Sequence, residues 1–270
     1  MLLSAVAWSY GAAGPPVGAF PARDGSALSG AAFAAEVAQL PDHERYAATR
    51  DAILAGDIPS FLRELVPVPL SRQGLPTVTV FVTPDYLSVG SDTDFLQVPL
   101  DFVEAAAVAR ALGFGLPTRH IVDAVYAAAT VHLEPRPLPA GPEMRSVAYI
   151  LQHQALVQAE LGASLPGRLV AGTQKDLVLT PQLRLMPDRE AIYGWHRIDG
   201  RPIQPLSLVH GVHYADYSHG IRLVSATVLV AGEPRSYFDV LGDPTLSALV
   251  SDEGPIADAE ALLAAAAAAG

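Results

Sequence analysis

Residues 210–224, HGVHYADYSHGIRLV, form the densest set of proton-moving groups in the chain. Three of its eight histidines, His210, His213 and His219, lie within ten residues, with Tyr214, Asp216, Tyr217 and Ser218 among them. Histidine titrates near neutral pH and serves as general base, general acid or metal ligand. Hydrolysis or acyl transfer needs a base within reach of a nucleophile or water, and a further group to orient that base. In an extended segment His210 and Asp216 supply base and orienter, and Ser218 supplies the hydroxyl. Ser218 and His219 are adjacent, so on a strand they point apart and do not form a direct dyad.

A second chemical signal lies upstream. Of the seventeen basic residues one is lysine, Lys175 in GTQKDLVL, and the rest are arginine. Lysine does what arginine cannot: it can lose its proton when desolvated, and it presents a compact ammonium. Lys175 is therefore a catalytic candidate beside His210, Asp216, Ser218 and His219, able to activate Ser218 in the serine–lysine manner. Tyr214 and His196 are candidate substrate contacts. His196 follows Trp195 in YGWHRIDG, which predicts a core indole next to an exposed imidazole. His153, in LQHQ, is expected on the polar face of a helix.

No metal or other cofactor is expected. The alternative is zinc or iron on His210, His213, Asp216 and His219, all of them ligand types for these ions. A three-residue spacing slips by about 60° per step on an α-helix, so such a helix brings two of the four together, not all. A strand sends His210 and Asp216 to one face and His213 and His219 to the other; a loop leaves any set free to converge. Asp92 and Asp94 in GSDTDF lack the remaining spacing of a calcium loop.

The same segment resembles the signature of the L,D-transpeptidases, cell-wall cross-linking enzymes on a β-sandwich-like fold. That signature runs His-Gly, a gap, then Ser-His-Gly-Cys, Ile or Val, and Arg. His210 and Gly211 match its first pair; Ser218, His219 and Gly220 the next three; Ile221 and Arg222 its end. The cysteine, which falls between Gly220 and Ile221, is missing, and the gap is short. The resemblance implies a carbonyl-binding site without thioester chemistry, with histidines for proton transfer, Arg222 for a substrate carboxylate, and peptides of cell-wall type as substrates.

The elements that must position these residues follow from patterning. Residues 1–28 are rich in Gly, Ala, Ser and Pro and read as an irregular arm. Residues 29–270 read as one α+β domain, with a possible sub-boundary in the proline-rich stretch 134–143. The first half reads as helix-rich: SGAAFAAEVAQL; a second helix capped by Asp42 and Gly56; a short helix after Pro59; and the helices at 101–113, 117–133 and 144–162. TVTVFVT is a buried strand among them. From about 168 to 240 short runs rich in Val, Leu, Ile and aromatics, RSYFDVL included, alternate with turns. They predict a mainly antiparallel sheet or small barrel, with Asp199-Gly200 marking a hairpin. The alanine-rich tail is a helix or a frayed run.

The totals set the function classes. The 270 residues carry a formal charge of −11, with no basic patch for nucleic acid. No apolar run reaches the length of a membrane span. Absence of cysteine removes thiol nucleophiles, disulfides and iron–sulfur clusters. The apolar opening without a basic n-region is either the remnant of an export signal in a bacterial-type secreted protein or a frayed end of a cytoplasmic one. The expectation is a hydrolase or acyl-transfer enzyme acting on an amide or ester of a small or peptide-like substrate. The rival is a non-catalytic exported binding or scaffold protein.

Overall fold

The computed structural model describes residues 20–162 and 167–269. Most of the 1–28 arm therefore lies outside the described residues. Its last part does not stand free: Phe20 is buried and packs on Phe114, ring centroids 5.3 Å apart.

In chain order the elements are α1 (Gly30–Val37), α2 (Asp42–Ala55), β1 (Val66–Leu70), β2 (Val78–Val82), β3 (Ser88–Gly90), β4 (Phe95–Gln97), α3 (Phe102–Ala111), β5 (Phe114–Gly115), α4 (Arg119–Ala128) and β6 (Val131–His132). The second half continues with α5 (Val147–Leu161), β7 (Val170–Ala171), β8 (Lys175–Leu177), β9 (Ile192–His196), β10 (Pro202–Ser207), β11 (His219–Gly220), β12 (Val224–Ser225), β13 (Thr227–Val230), β14 (Glu233–Ser236), α6 (Tyr237–Gly242), α7 (Ser247–Val250) and α8 (Ala259–Ala267). The class is α+β. Helices and strands occur in both halves, so the expected division into helical and β-rich halves does not appear in clean form.

One sheet runs β14–β13–β2–β12–β5, with β1 also paired to β2, and curls as an antiparallel half-barrel. Its centre, TVTVFV, is the β-branched run whose side chains are mostly buried. The second sheet runs β10–β9–β8–β11 and carries the candidate chemistry. Its β9–β10 hairpin turns at Asp199-Gly200 as expected. Pairing is mainly antiparallel, with two short parallel exceptions, β11 on β8 and β6 on β7. The main cluster of buried apolar side chains extends from Phe20 to Leu263 and draws on both sides of 134–143, with Leu138 of that stretch packed against it; a smaller one joins Val131, Leu133, Val157 and Val170.

Local chemistry explains where elements start. Asp101, Thr118 and Ser146 cap α3, α4 and α5 with side-chain oxygens. Asp42 is not a cap: it is the first residue of α2, after Pro41, while Gly56 closes the helix in the left-handed region as expected. After Pro59 there is only a short 3-10 turn, Ser60–Arg63, before β1. RSYFDVL is not a strand beyond Ser236, because the Ser236 hydroxyl accepts from the Asp239 amide and starts α6. The alanine-rich tail forms α8, whose Ala259 and Leu263 are buried and which lies against α3. Among the described residues no helix is long and apolar enough to cross a membrane.

Candidate functional site

The segment between β10 and β11 is a loop that returns its end to β8. Parallel pairing sets His219 opposite Lys175, and the Lys175 amide donates to the Ser218 carbonyl at 2.8 Å. The return is tight. A Cβ on Gly220 would lie 2.5 Å from the Gln174 Cβ and 2.6 Å from the Tyr86 ring, so only glycine lets the two strands approach.

Just before β11 the chain makes an Asx turn. Asp216 Oδ1 accepts from the Ser218 amide at 2.8 Å and from its hydroxyl at 2.5 Å. Ser218 is fully buried, and its proton is held by this turn. The candidate nucleophile is therefore part of the scaffold and does not face a substrate.

Asp216 is the hub. Its Oδ2 accepts from the Tyr214 hydroxyl at 3.1 Å and lies 4.0 Å from Lys175 Nζ. Its Oδ1 lies 3.2 Å from His219 Nδ1. On the far side of the ring, His219 Nε2 lies 2.8 Å from Glu190 Oε1, and both side chains have no exposed surface. The Asp216 amide also approaches Nδ1, at 3.1 Å. A single nitrogen cannot donate to the carboxylate and accept from the amide at once. With a carboxylate on each side the imidazolium is the stable form, so donation prevails.

The electrostatics follow from these contacts. Burial works against a charged His219, but Glu190 and Asp216 outweigh it and push its pKa up to about 9. Burial alone would raise the Asp216 pKa; the His219 hydrogen bond and charge, Lys175 and Ser218 hold it far below the ordinary carboxylate range. Burial raises the Glu190 pKa, partly offset by His219. His210, partly buried, stacks on Tyr214 with ring centroids 4.1 Å apart, and Arg145 lies over the Tyr214 ring at 5.9 Å. Partial burial and the positive charge of His219 lower the His210 pKa, so it is neutral near pH 7 and available as a base. Burial, with Asp216 beside the hydroxyl, raises the Tyr214 pKa and keeps its proton in place.

Aromatic rings flank Lys175. Lys175 Nζ sits over the Trp195 ring, 5.1 Å from its centroid. Tyr217 meets Trp195 edge-on and also packs on His153 of α5. Trp195 has φ 56°, in the left-handed region where a bulky residue costs about 1–3 kcal/mol. Strain of this kind recurs where a side chain must be aimed.

The other candidates lie elsewhere. Arg222 is buried on the opposite side of β8, with Asp176 rather than Lys175. It donates to the Thr83 and Val170 carbonyls at 2.7 Å each and stacks over Tyr86 at 4.5 Å. Its donors are engaged by backbone, so it clamps the scaffold and does not meet a substrate carboxylate. His196 is buried, not exposed: its Nε2 lies 2.9 Å from Asp123 Oδ1 and its ring stacks on Tyr126. His153 is buried too, not on a polar face. His213 is exposed and pairs with Asp101 at 3.5 Å. The alternative metal set does not converge, and among the described residues no group of three His, Asp or Glu side chains is arranged to hold a metal ion. Asp92 and Asp94 bond backbone amides at Ser60 and Ala31.

His210, Tyr214, Asp216, His219 and Lys175 are thus brought together, with two residues that sequence reasoning missed as site members. Trp195 reads as core from the sequence and is buried in the core cluster, where it also meets the Lys175 ammonium. Glu190 stands one residue before the apolar run of β9, and nothing in that pattern distinguishes a buried acid from a surface one. Compared with protein-family models, curated proteins and solved structures, the chain matches none.

Proposed function

We propose that this protein is a hydrolase or acyl-transfer enzyme acting on an amide or ester, with a peptide-like substrate entering beside His210 and Tyr214. The observation that carries this reading is the buried Lys175–Asp216–His219–Glu190 array beneath a neutral histidine. His219 lies between two carboxylates, and Lys175 is the further basic group beside Asp216. In this reading His210 takes a proton from the attacking water and returns it to the departing amine or alcohol, while Lys175 supplies the positive charge that holds the substrate and the Tyr214 ring flanks His210. Asp216, His219 and Glu190 fix the positions of these groups. The transpeptidase-like pattern supports a cell-wall type of peptide. Ile221, fully buried next to Gly220, favours water or a non-thiol acceptor over a thioester.

The test is hydrolysis of a panel of amide and ester substrates, with and without a strong chelator. Activity should survive the chelator and fall about a hundredfold or more in His210→Gln and Lys175→Met. A folded protein with no turnover across the panel would favour the non-catalytic binding role. Chelator-sensitive activity would restore the metal-dependent alternative.

A further inference from the structure

Buried polar groups are almost always hydrogen-bonded, so each exception needs a reason. Two exceptions flank Tyr217. Trp195 Nε1 and His153 Nε2 are buried with no hydrogen-bond partner, in residues 6 % and 2 % exposed. Both rings abut Tyr217, and the ammonium of Lys175 lies over the indole. Lys175 is 8 % exposed, and the Asp216 carboxylate, at 4.0 Å, is beyond hydrogen-bond distance. Lys175 of β8, Trp195 of β9 and His153 of α5 thus each have bonding capacity to spare, the two rings meeting at Tyr217.

We propose that Lys175, Trp195 and His153 form a subsite for the carboxylate of a small acid or a peptide C-terminus, an inference that rests on reading this as a substrate site. The indole N–H donates only, and the ammonium donates only. Burial keeps His153 neutral, with its pKa near 4, so its Nε2–H tautomer adds a third donor without a competing charge. Three donors, one of them the ammonium, suit an acceptor with two oxygens and one negative charge. A phosphate dianion fits less well, because Asp216 and Glu190 stand behind Lys175 and repel a second charge. The strained backbone of Trp195 is consistent with an indole aimed for binding and not for packing alone.

The sequence has two tryptophans, Trp8 and Trp195, so labelled protein gives two indole N–H resonances, assigned with Trp195→Phe. The full chain is titrated with acetate, with dialanine and with C-terminally amidated dialanine. The Trp195 resonance should shift saturably with both carboxylates, more tightly with the peptide if a peptide terminus is the source. The amidated peptide should bind about tenfold or more weakly, as should dialanine to Lys175→Met. His153→Phe should weaken binding in the same sense and serves as the second variant if Lys175→Met does not fold. A resonance that does not move, an amidated peptide that binds equally, or variants that bind as the wild type would overturn the subsite. Binding without turnover leaves the subsite standing and removes the catalytic role; turnover without the shift does the reverse.

Discussion

Lys175 is held by a short list of contacts, and that makes it the sharpest probe of the site. Its ammonium faces the Trp195 ring and Asp216 and little else. A guanidinium can stack on the same indole and pair with the same carboxylate, so Lys175→Arg should fold, at a cost of about 1–3 kcal/mol for the larger head. It cannot supply a compact point charge at the same spot. Activity should therefore fall about a hundredfold or more. Circular dichroism and turnover on the same preparation decide it, and full activity would sink the role given to Lys175. Glu190 offers a complementary test. Glu190→Gln keeps the shape and an acceptor for His219 but removes one of the two charges that hold the imidazolium. The imidazole pKa of His219, read by NMR, should fall, and urea denaturation should show a loss of about 1–3 kcal/mol.

At the scale of elements, the site depends on β11 lying close against β8. Gly220→Ala would press a methyl into the Gln174 Cβ and the Tyr86 ring, neither of which is the free end of a flexible chain. The strands must part, destabilising the protein by about 1–3 kcal/mol. Because this separates His219 from Lys175, activity should fall more than stability alone explains; unchanged turnover at full occupancy of the fold would contradict the arrangement. Sequence reading reached β2 and the 198–201 hairpin because their signals are local: a β-branched run, and an Asp-Gly pair between apolar runs. It named His210, Tyr214, Asp216 and His219, which the structure brings together, because they are close in sequence. It missed α6, where an apolar, aromatic heptapeptide takes its conformation from one serine cap. It also misplaced Ser218, Arg222 and His196, since burial and facing are set by partners far along the chain: Thr83 and Val170 for Arg222, Asp123 for His196. Glu190 was invisible for the same reason.

For the whole molecule, the consequence of burying ionisable groups is a pH dependence of folding whose sign can be worked out. His219 has an ordinary value of 6.5 and a folded value of about 9. A raised folded pKa means that the native state binds the proton more tightly than the unfolded chain does. Its contribution is complete below pH 6.5 and disappears as pH rises through 9. Asp85 and Asp176, pushed up from 3.8 to about 6 by burial with Arg222 as the main opposing charge, act in the same sense over a lower window. Their contribution is complete below pH 3.8 and lost through pH 6. Asp216 acts oppositely, stabilising above pH 3.8 and failing only in strong acid. Between pH 6.5 and 9 the His219 contribution stands apart from the other three, and a shift of its size corresponds to on the order of 3 kcal/mol. Thermal melting should therefore show a steady loss of stability across that window. The loss should be smaller in Glu190→Gln, where the charge that raises the imidazole pKa is gone. Asp85→Asn should leave the slope above pH 6.5 unchanged while flattening the curve between pH 4 and 6. A wild-type melting temperature that stays level from pH 6.5 to 9 would mean that His219 is neutral in the folded protein. Its Nδ1 would then accept from the Asp216 amide instead of donating to the carboxylate, and the charges assigned beside Lys175 would have to be redrawn.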